Sequence, residues 1–156
     1  MKKFLVPLAA AAAGVASLGM LATPAQASVT YGGCTATPYN VRFHDYNASG
    51  HKRVLLRVDV SCHVDRWVYL SQQGWEDDDR PGDRADDHWY SKTQWVRVDA
   101  GTTQRIDTVV AMPDTPGDGA EELYQRARYQ VRTIEPYPVT SGWTGWDTTP
   151  YRVIAN

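Results

Sequence analysis

The feature that most constrains the fold is a strict two-residue alternation near the middle of the chain. The alternating sets are Val54, Leu56, Val58, Val60 and Cys62 on one side, and Leu55, Arg57, Asp59 and Ser61 on the other. Successive side chains of a β-strand point to opposite faces, whereas a helix repeats every 3.6 residues. The pattern therefore predicts a long strand with one buried face, and that face carries a cysteine.

Other segments repeat this signal. Residues 34–43 precede the first strand as a plausible partner, and the turn-rich residues 47–50 separate the two. Further strand candidates are residues 66–72, 89–98, 103–111 and 149–154, which are rich in β-branched or aromatic residues and bounded by Gly, Pro or Asp.

The segment 119–134 fits two periods. Leu123, Ala127, Val131 and Ile134 form a helical stripe, and Asp118 with Glu121 resembles a capping box, yet residues 126–133 also alternate with period two. We expect a short helical turn near residues 119–123, followed by a strand from about residue 124 to residue 134. A helix over the whole segment is the alternative.

Taken together, about seven strands joined mostly by short turns predict an all-β fold. The expected architecture is a two-sheet antiparallel sandwich of immunoglobulin-like type, formed as a single domain by residues 28–156.

Residues 1–27 have the pattern of a secretory signal peptide. Lys2 and Lys3 are followed by an apolar run, and the segment ends in small residues before Ser28. A membrane anchor is the alternative; beyond residue 27 no apolar span follows. Removal of 27 of the 156 residues would leave 129, and loss of the two lysines would change the formal charge from −2 to −4.

Arginine strongly outnumbers lysine, as is typical of a GC-rich bacterium. We therefore expect a secreted, extracellular bacterial protein.

The charge and the cysteines limit the function further. A near-neutral to acidic chain argues against nucleic acid as a partner, because phosphate binding needs a strongly basic face. Cys34 and Cys62 are the two cysteines, and in an oxidising compartment they are expected to form one disulfide, worth about 3.6 kcal/mol by loop closure. A catalytic or metal-binding thiol is the alternative.

Acidic residues concentrate in two predicted connections, residues 73–88 and 112–122. Connections alternate between the two ends of a sandwich, so both are expected at the same end. Calcium suits such oxygen-rich loops outside the cell. The ligands we would expect are Asp77, Asp79, Asp114, Asp118 and Glu121. The spacing is not that of an EF-hand, and a solvated acidic surface is the alternative.

Two other groups of residues suggest a binding surface. The long connection at residues 135–147 carries Tyr137, Trp143 and Trp146, and it is expected near the end opposite the acidic loops. Aromatic side chains there would stack on sugars or anchor a protein, unless the tryptophans fold back over the sandwich edge. The second group is Arg126, Arg128 and Arg132 on the strand before it, which would otherwise pair with neighbouring acids.

Signs of catalysis are weak. The chain has no HExxH, GxSxG, P-loop or GxGxxG motif. The sequence therefore predicts a secreted non-enzymatic binding domain for an extracellular protein or glycan. It requires no cofactor, and calcium is the one cofactor it suggests. The alternatives are a secreted enzyme inhibitor and, as a weaker hypothesis, a small carbohydrate-active enzyme that uses acidic-loop carboxylates.

Overall fold

The computed structural model describes residues 28–77, 86–112 and 120–155. Within these ranges the chain forms ten strands and no helix. In chain order they are β1 Val29–Tyr31, β2 Cys34–Pro38, β3 Arg42–Tyr46, β4 Lys52–Cys62, β5 Arg66–Glu76, β6 Asp87–Val98, β7 Thr103–Ala111, β8 Glu121–Arg132, β9 Asp147–Thr148 and β10 Arg152–Ile154. Residues 1–27 lie outside the described ranges, so the signal peptide stays a prediction.

The first sheet, called sheet A here, is organised around β4. Along one edge of β4, β3 pairs with the first half of the strand and β2 pairs with the second half. Along the other edge, β4 pairs with β7. Strand β1 extends the sheet beyond β2 through a tight turn at Gly32 and Gly33, both of which have positive φ. Gly32 also packs so closely on Val131 that a Cβ atom there would lie 2.5 Å from a methyl group.

The second sheet, sheet B, has the strand order β6-β5-β8, with β9 and β10 sharing the outer edge of β8. All pairs are antiparallel. Strand β5 is the centre of this sheet because it pairs along its length with both β6 and β8. Its alternate residues Val68 and Leu70 are buried between the sheets, whereas Trp67 and Tyr69 point to the outside.

The core between the sheets has two apolar clusters separated by a buried polar layer. The side-chain amide of Gln72 donates to Gln125 at 2.9 Å, and the hydroxyl of Thr108 donates to Gln72 at 3.0 Å. Gln125 in turn donates to the backbone carbonyls of Arg57, at 2.9 Å, and Tyr39. The Gln72–Gln125 bond lies within sheet B, whereas the bonds with Thr108, Arg57 and Tyr39 connect the two sheets and help to fix how they sit against each other.

The predicted two-sheet antiparallel sandwich is confirmed, and each of the seven predicted segments contains at least one strand. Residues 34–43 divide into β2 and β3, because the chain moves from one half of β4 to the other. The immunoglobulin-like detail stays a prediction.

The predicted helical turn near residues 119–123 is wrong, and so is the alternative of a full helix. Residue 119 lies outside the described ranges, but β8 begins at Glu121. Glu121 pairs with Ile154 of β10, and Leu123 pairs with both Arg152 and Glu76. Pairing on both edges supplies the backbone hydrogen bonds, and the alternation buries Leu123 in the core. These tertiary interactions outweigh the local capping signal.

The predicted disulfide between Cys34 and Cys62 is confirmed, and no free cysteine is present. The two residues lie directly opposite each other on β2 and β4. The bridge therefore joins neighbouring strands of one sheet, unlike the bridge of antibody domains, which connects the two sheets. In the described part of the chain, no helix has the length and hydropathy needed to cross a membrane.

Candidate functional site

The segment after β8 turns back along the sheet instead of standing away from it. Thr140 forms a bridge with Arg132, and the backbone amides of Ser141 and Thr144 donate to the carbonyls of Val131 and Tyr129 at 2.8 and 2.9 Å. The hydroxyls of Ser141 and Thr144 accept the amide hydrogens of those same two β8 residues, at 2.9 and 3.0 Å. The segment is thus a further edge of sheet B, which differs from the expected loop at one end.

This path carries the tryptophans of the segment onto the outer face of sheet B. The alternation of β5, β6 and β8 supplies the other large side chains of that face. We call the resulting surface the aromatic–arginine face; it consists of Trp67, Tyr69, Trp75, Trp95, Tyr124, Arg126, Arg128, Arg132, Trp143 and Trp146.

Two arginines of this face lie against aromatic rings. The guanidinium carbon of Arg128 is 4.6 Å from the ring centre of Trp143 and 4.3 Å from that of Trp146. The guanidinium carbon of Arg126 is 4.7 Å from the ring centre of Trp75, and its Nη2 lies 3.2 Å from the hydroxyl of Tyr124. Such cation–π contacts are worth about 0.5–1 kcal/mol each where they are exposed. They hold the rings and the guanidinium groups in fixed relative positions.

Three arginines of sheet A, in contrast, form ion pairs with aspartates. The pairs are Arg53–Asp45, Arg57–Asp107 at 2.6 Å and Arg105–Asp59 at 2.8 Å. The hydrogen bond from its arginine partner lowers the pKa of each of these three aspartates. By contrast, Arg126, Arg128 and Arg132 form no ion pair with any described carboxylate within 4.0 Å.

An open groove of about 470 Å³ lies at the end of the aromatic–arginine face. It is lined by Trp67, Trp95, Arg132, Thr133, Ile134, Glu135 and Pro138. Trp67 is 38% exposed and Trp95 is 44% exposed. Tyr69 stacks on Trp95 with ring centres 4.8 Å apart and also lies 5.4 Å from Trp143. A continuous row of rings therefore runs from the groove into the rest of the face.

The predicted ligand-binding residues fall in different places. Arg126, Arg128, Trp143 and Trp146 come together on one face, although the sequence analysis assigned the arginines and tryptophans to separate surfaces. Arg132 lines the groove. Tyr137 is 88% exposed, does not line the groove, and makes no ring contact with a described residue.

Trp67, Tyr69 and Trp95 were not among the site residues predicted from the sequence. The alternation along β5 does indicate two of them, because Trp67 and Tyr69 alternate with the buried Val68 and Leu70 and therefore lie on the outer face. Several large aromatic side chains grouped on the solvent-facing side of a strand indicate a functional surface. That Trp95 lies opposite Tyr69 depends on the register between β5 and β6, which no local pattern shows.

The acidic connections are only partly described. The backbone amide of Asp77 donates to the carbonyl of Glu122 at 2.7 Å, so the start of one connection is adjacent to the end of the other. Glu121 is only 2% exposed, and its Oε1 has no hydrogen-bond partner among the described residues. Asp79, Asp114 and Asp118 lie outside the described residues, and within those residues no group of three His, Cys, Asp or Glu side chains is arranged to hold a metal. The calcium site stays a prediction.

Comparison with known proteins gives no match, either to a family model or to a curated sequence.

Proposed function

We propose that this chain is a secreted, non-enzymatic binding domain and that the aromatic–arginine face binds its ligand. The observation that carries the proposal is the groove with the exposed rings of Trp67 and Trp95, next to arginines that form no ion pair within 4.0 Å with a described aspartate or glutamate. Tryptophan, tyrosine and arginine are the residue types that dominate the binding energy of interfaces. Scattered surface aromatics need no explanation, but a contiguous set on one face does.

The rigidity of the face also supports a binding role. Binding costs about 0.5–1.5 kcal/mol for each flexible side chain that becomes fixed. The stacks of Tyr69 on Trp95 and of Arg128 on Trp143 and Trp146 already fix these side chains in the free protein. A ligand would therefore meet a preorganised surface, which favours affinity without further ordering.

Export is the second part of the proposal. The disulfide between Cys34 and Cys62 supports it, because such bonds persist in oxidising compartments and are rare in the cytosol. The pattern of residues 1–27 supports it independently. Mass spectrometry of the protein from culture medium is expected to show a chain that begins at Ser28, with the disulfide formed. Retention of residues 1–27 in the cell would contradict this part.

Binding is tested by affinity capture from secreted and cell-wall material of the source organism. The bait is the chain without residues 1–27, since every described strand lies between residues 29 and 154. We expect Trp67→Ala combined with Trp95→Ala to lose the captured ligand. The matched control is Phe43→Ala combined with Tyr46→Ala, which removes two exposed aromatics from β3 of sheet A. Capture that survives the first double variant and is lost in the second would refute the assignment of the face.

A further inference from the structure

We infer that the groove beside Trp67 and Trp95 binds a neutral polysaccharide. The inference rests on the proposed function and names the ligand class of that face. The volume of the groove, about 470 Å³, lies within the range of about 300–1,000 Å³ typical of small-molecule sites. It is large enough for part of a saccharide chain and too shallow to enclose a ligand completely.

The two indole rings supply the apolar part of the site. One face of a pyranose ring carries mainly C–H groups, so it loses little hydration when it lies flat on an aromatic ring. Trp95 is held for this contact by Tyr69, which stacks on it with an interplanar angle of 25° and whose hydroxyl lies 3.1 Å from that of Thr93. The indole surface is therefore presented in one orientation.

The polar side chains of the groove distinguish a saccharide from other ligands. Arg132 has only hydrogen-bond donors, and the Glu135 carboxylate has only acceptors. They form no ion pair with each other or with another described residue within 4.0 Å. The Thr133 hydroxyl accepts the amide hydrogen of Val139 at 3.0 Å and keeps its own hydrogen to donate.

Sugar hydroxyl groups both donate and accept hydrogen bonds, so a saccharide can satisfy this mixed set of groups. An acidic peptide or acidic polysaccharide would be attracted by Arg132 but repelled by Glu135, so it would gain no net electrostatic attraction in the groove. A purely apolar ligand would remove water from Arg132 and Glu135 without replacing their hydrogen bonds, which is costly. A neutral polyhydroxylated ligand avoids both penalties.

The ring row argues for a polymer over a single sugar. Beyond Trp95 the row continues through Tyr69 to Trp143, whose ring centre is 5.4 Å from that of Tyr69. The row crosses the strands, from Trp95 on β6 through Tyr69 on β5 to Trp143 in the segment beside β8. Several aromatic contacts along one direction suit an extended chain of sugar units.

The test is a titration of the chain without residues 1–27, followed by tryptophan fluorescence and calorimetry. The probes are cello-, xylo-, manno- and chito-oligosaccharides of four to six units, with polygalacturonate and poly-L-glutamate as acidic comparisons. We expect at least one neutral oligosaccharide to bind, to outcompete both acidic polymers, and to protect tryptophan from acrylamide quenching. Trp67→Ala and Trp95→Ala are each expected to weaken its binding at least about tenfold.

Glu135→Gln is expected to weaken binding several-fold, because a carboxylate accepts stronger hydrogen bonds than an amide. The matched control Tyr137→Ala removes an exposed aromatic two residues away, outside the groove, and should leave binding unchanged. Thermal melting of each variant verifies that it is folded.

Each outcome bears on one of the two proposals. Failure of every neutral oligosaccharide, or binding that the Trp67 and Trp95 variants leave intact, overturns the saccharide inference. If that happens while the double variant still loses a captured protein, the proposed binding function stands with a protein as ligand. Failure of both experiments refutes both proposals.

Discussion

Replacing Tyr129 by phenylalanine removes one buried hydroxyl group while keeping the aromatic ring in the core. The side chain is fully buried, with 0% exposure. Its hydroxyl accepts the backbone amide hydrogen of Tyr31 at 2.7 Å and donates to the backbone carbonyl of Cys34 at 2.5 Å. These bonds connect β8 of sheet B to the turn between β1 and β2, so the hydroxyl contributes to the packing of one sheet on the other.

The expected cost follows from these two bonds. A buried hydrogen bond contributes about 0.5–1.5 kcal/mol net, and a buried group left without a partner costs about 1–3 kcal/mol. The carbonyl of Cys34 belongs to a buried residue, whereas Tyr31 is exposed and its amide can regain a bond to water. We therefore expect Tyr129→Phe to lower the free energy of unfolding by about 2 kcal/mol at pH 7.

A second signature appears at alkaline pH. Burial raises the pKa of Tyr129 from 10.0 to about 12. The folded state holds this proton more tightly than the unfolded chain, so the associated stability is complete below pH 10 and is lost between about pH 10 and pH 12. Two pKa units correspond to about 2.7 kcal/mol. Because the phenylalanine variant lacks this group, the stability gap between wild type and variant should narrow over that range.

Urea denaturation at a series of pH values from 7 to 11.5, followed by circular dichroism, measures both effects. The pKa values of Tyr39, Tyr90 and Tyr124 are also raised, but these groups are common to both proteins and cancel in the difference. Tyr137→Phe, at an exposed site, is the control and should stay within about 0.5 kcal/mol of wild type. A gap at pH 7 no larger than that of the control, or one that does not change above pH 10, would refute the reasoning.

Three further predictions concern stability. Cys34→Ser with Cys62→Ser should lower the free energy of unfolding by about 3.6 kcal/mol, and reduced wild type should match it in urea denaturation; a loss under about 1 kcal/mol would contradict the loop-closure argument. Gly74→Ala places a methyl group 2.6 Å from an indole ring and should cost about 1–3 kcal/mol, whereas Gly142→Ala, with nothing within 4 Å, should leave the melting temperature unchanged. Asp59 has a pKa lowered chiefly by the hydrogen bond from its arginine partner, so its contribution is present above pH 3.8 and is lost as the pH falls through the lower folded value. Asp59→Asn should therefore be less stable than wild type at pH 7, with the difference closing in acid; a difference constant from pH 7 to pH 2 would disprove it.

Much of the strand content could be predicted because each strand has its own local signal. The alternation at residues 54–62 corresponds to β4, Lys52–Cys62, and the ends differ only where polar residues extend the pairing. The prediction failed at residues 119–123, where a capping pattern suggested a helical turn. There the backbone of Glu121–Leu123 pairs with a strand thirty residues later in the chain, and a local pattern carries no information about such a partner.

The candidate site was less accessible to sequence analysis for the same reason. Arg128 and Trp146 were each identified, but as parts of separate surfaces. They meet because the segment after β8 folds back on that strand, through backbone bonds such as that from Thr144 to Tyr129. The groove could not be predicted from local patterns, because Trp67 and Trp95 lie on two different strands. They become neighbours only through the register of those strands, which places Tyr69 opposite Trp95.

The amino-acid sequence by itself determined the secondary structure class, the inner and outer faces of the main strands and the pairing of the two cysteines. These properties follow from short-range geometry, because side chains alternate along any extended backbone, and from there being just two thiols. The tertiary structure alone decided which strands are neighbours, in what register, and which side chains share a face. Backbone hydrogen bonds are chemically alike in every register, so the choice among them depends on how the whole core packs. The aromatic–arginine face is a product of that choice.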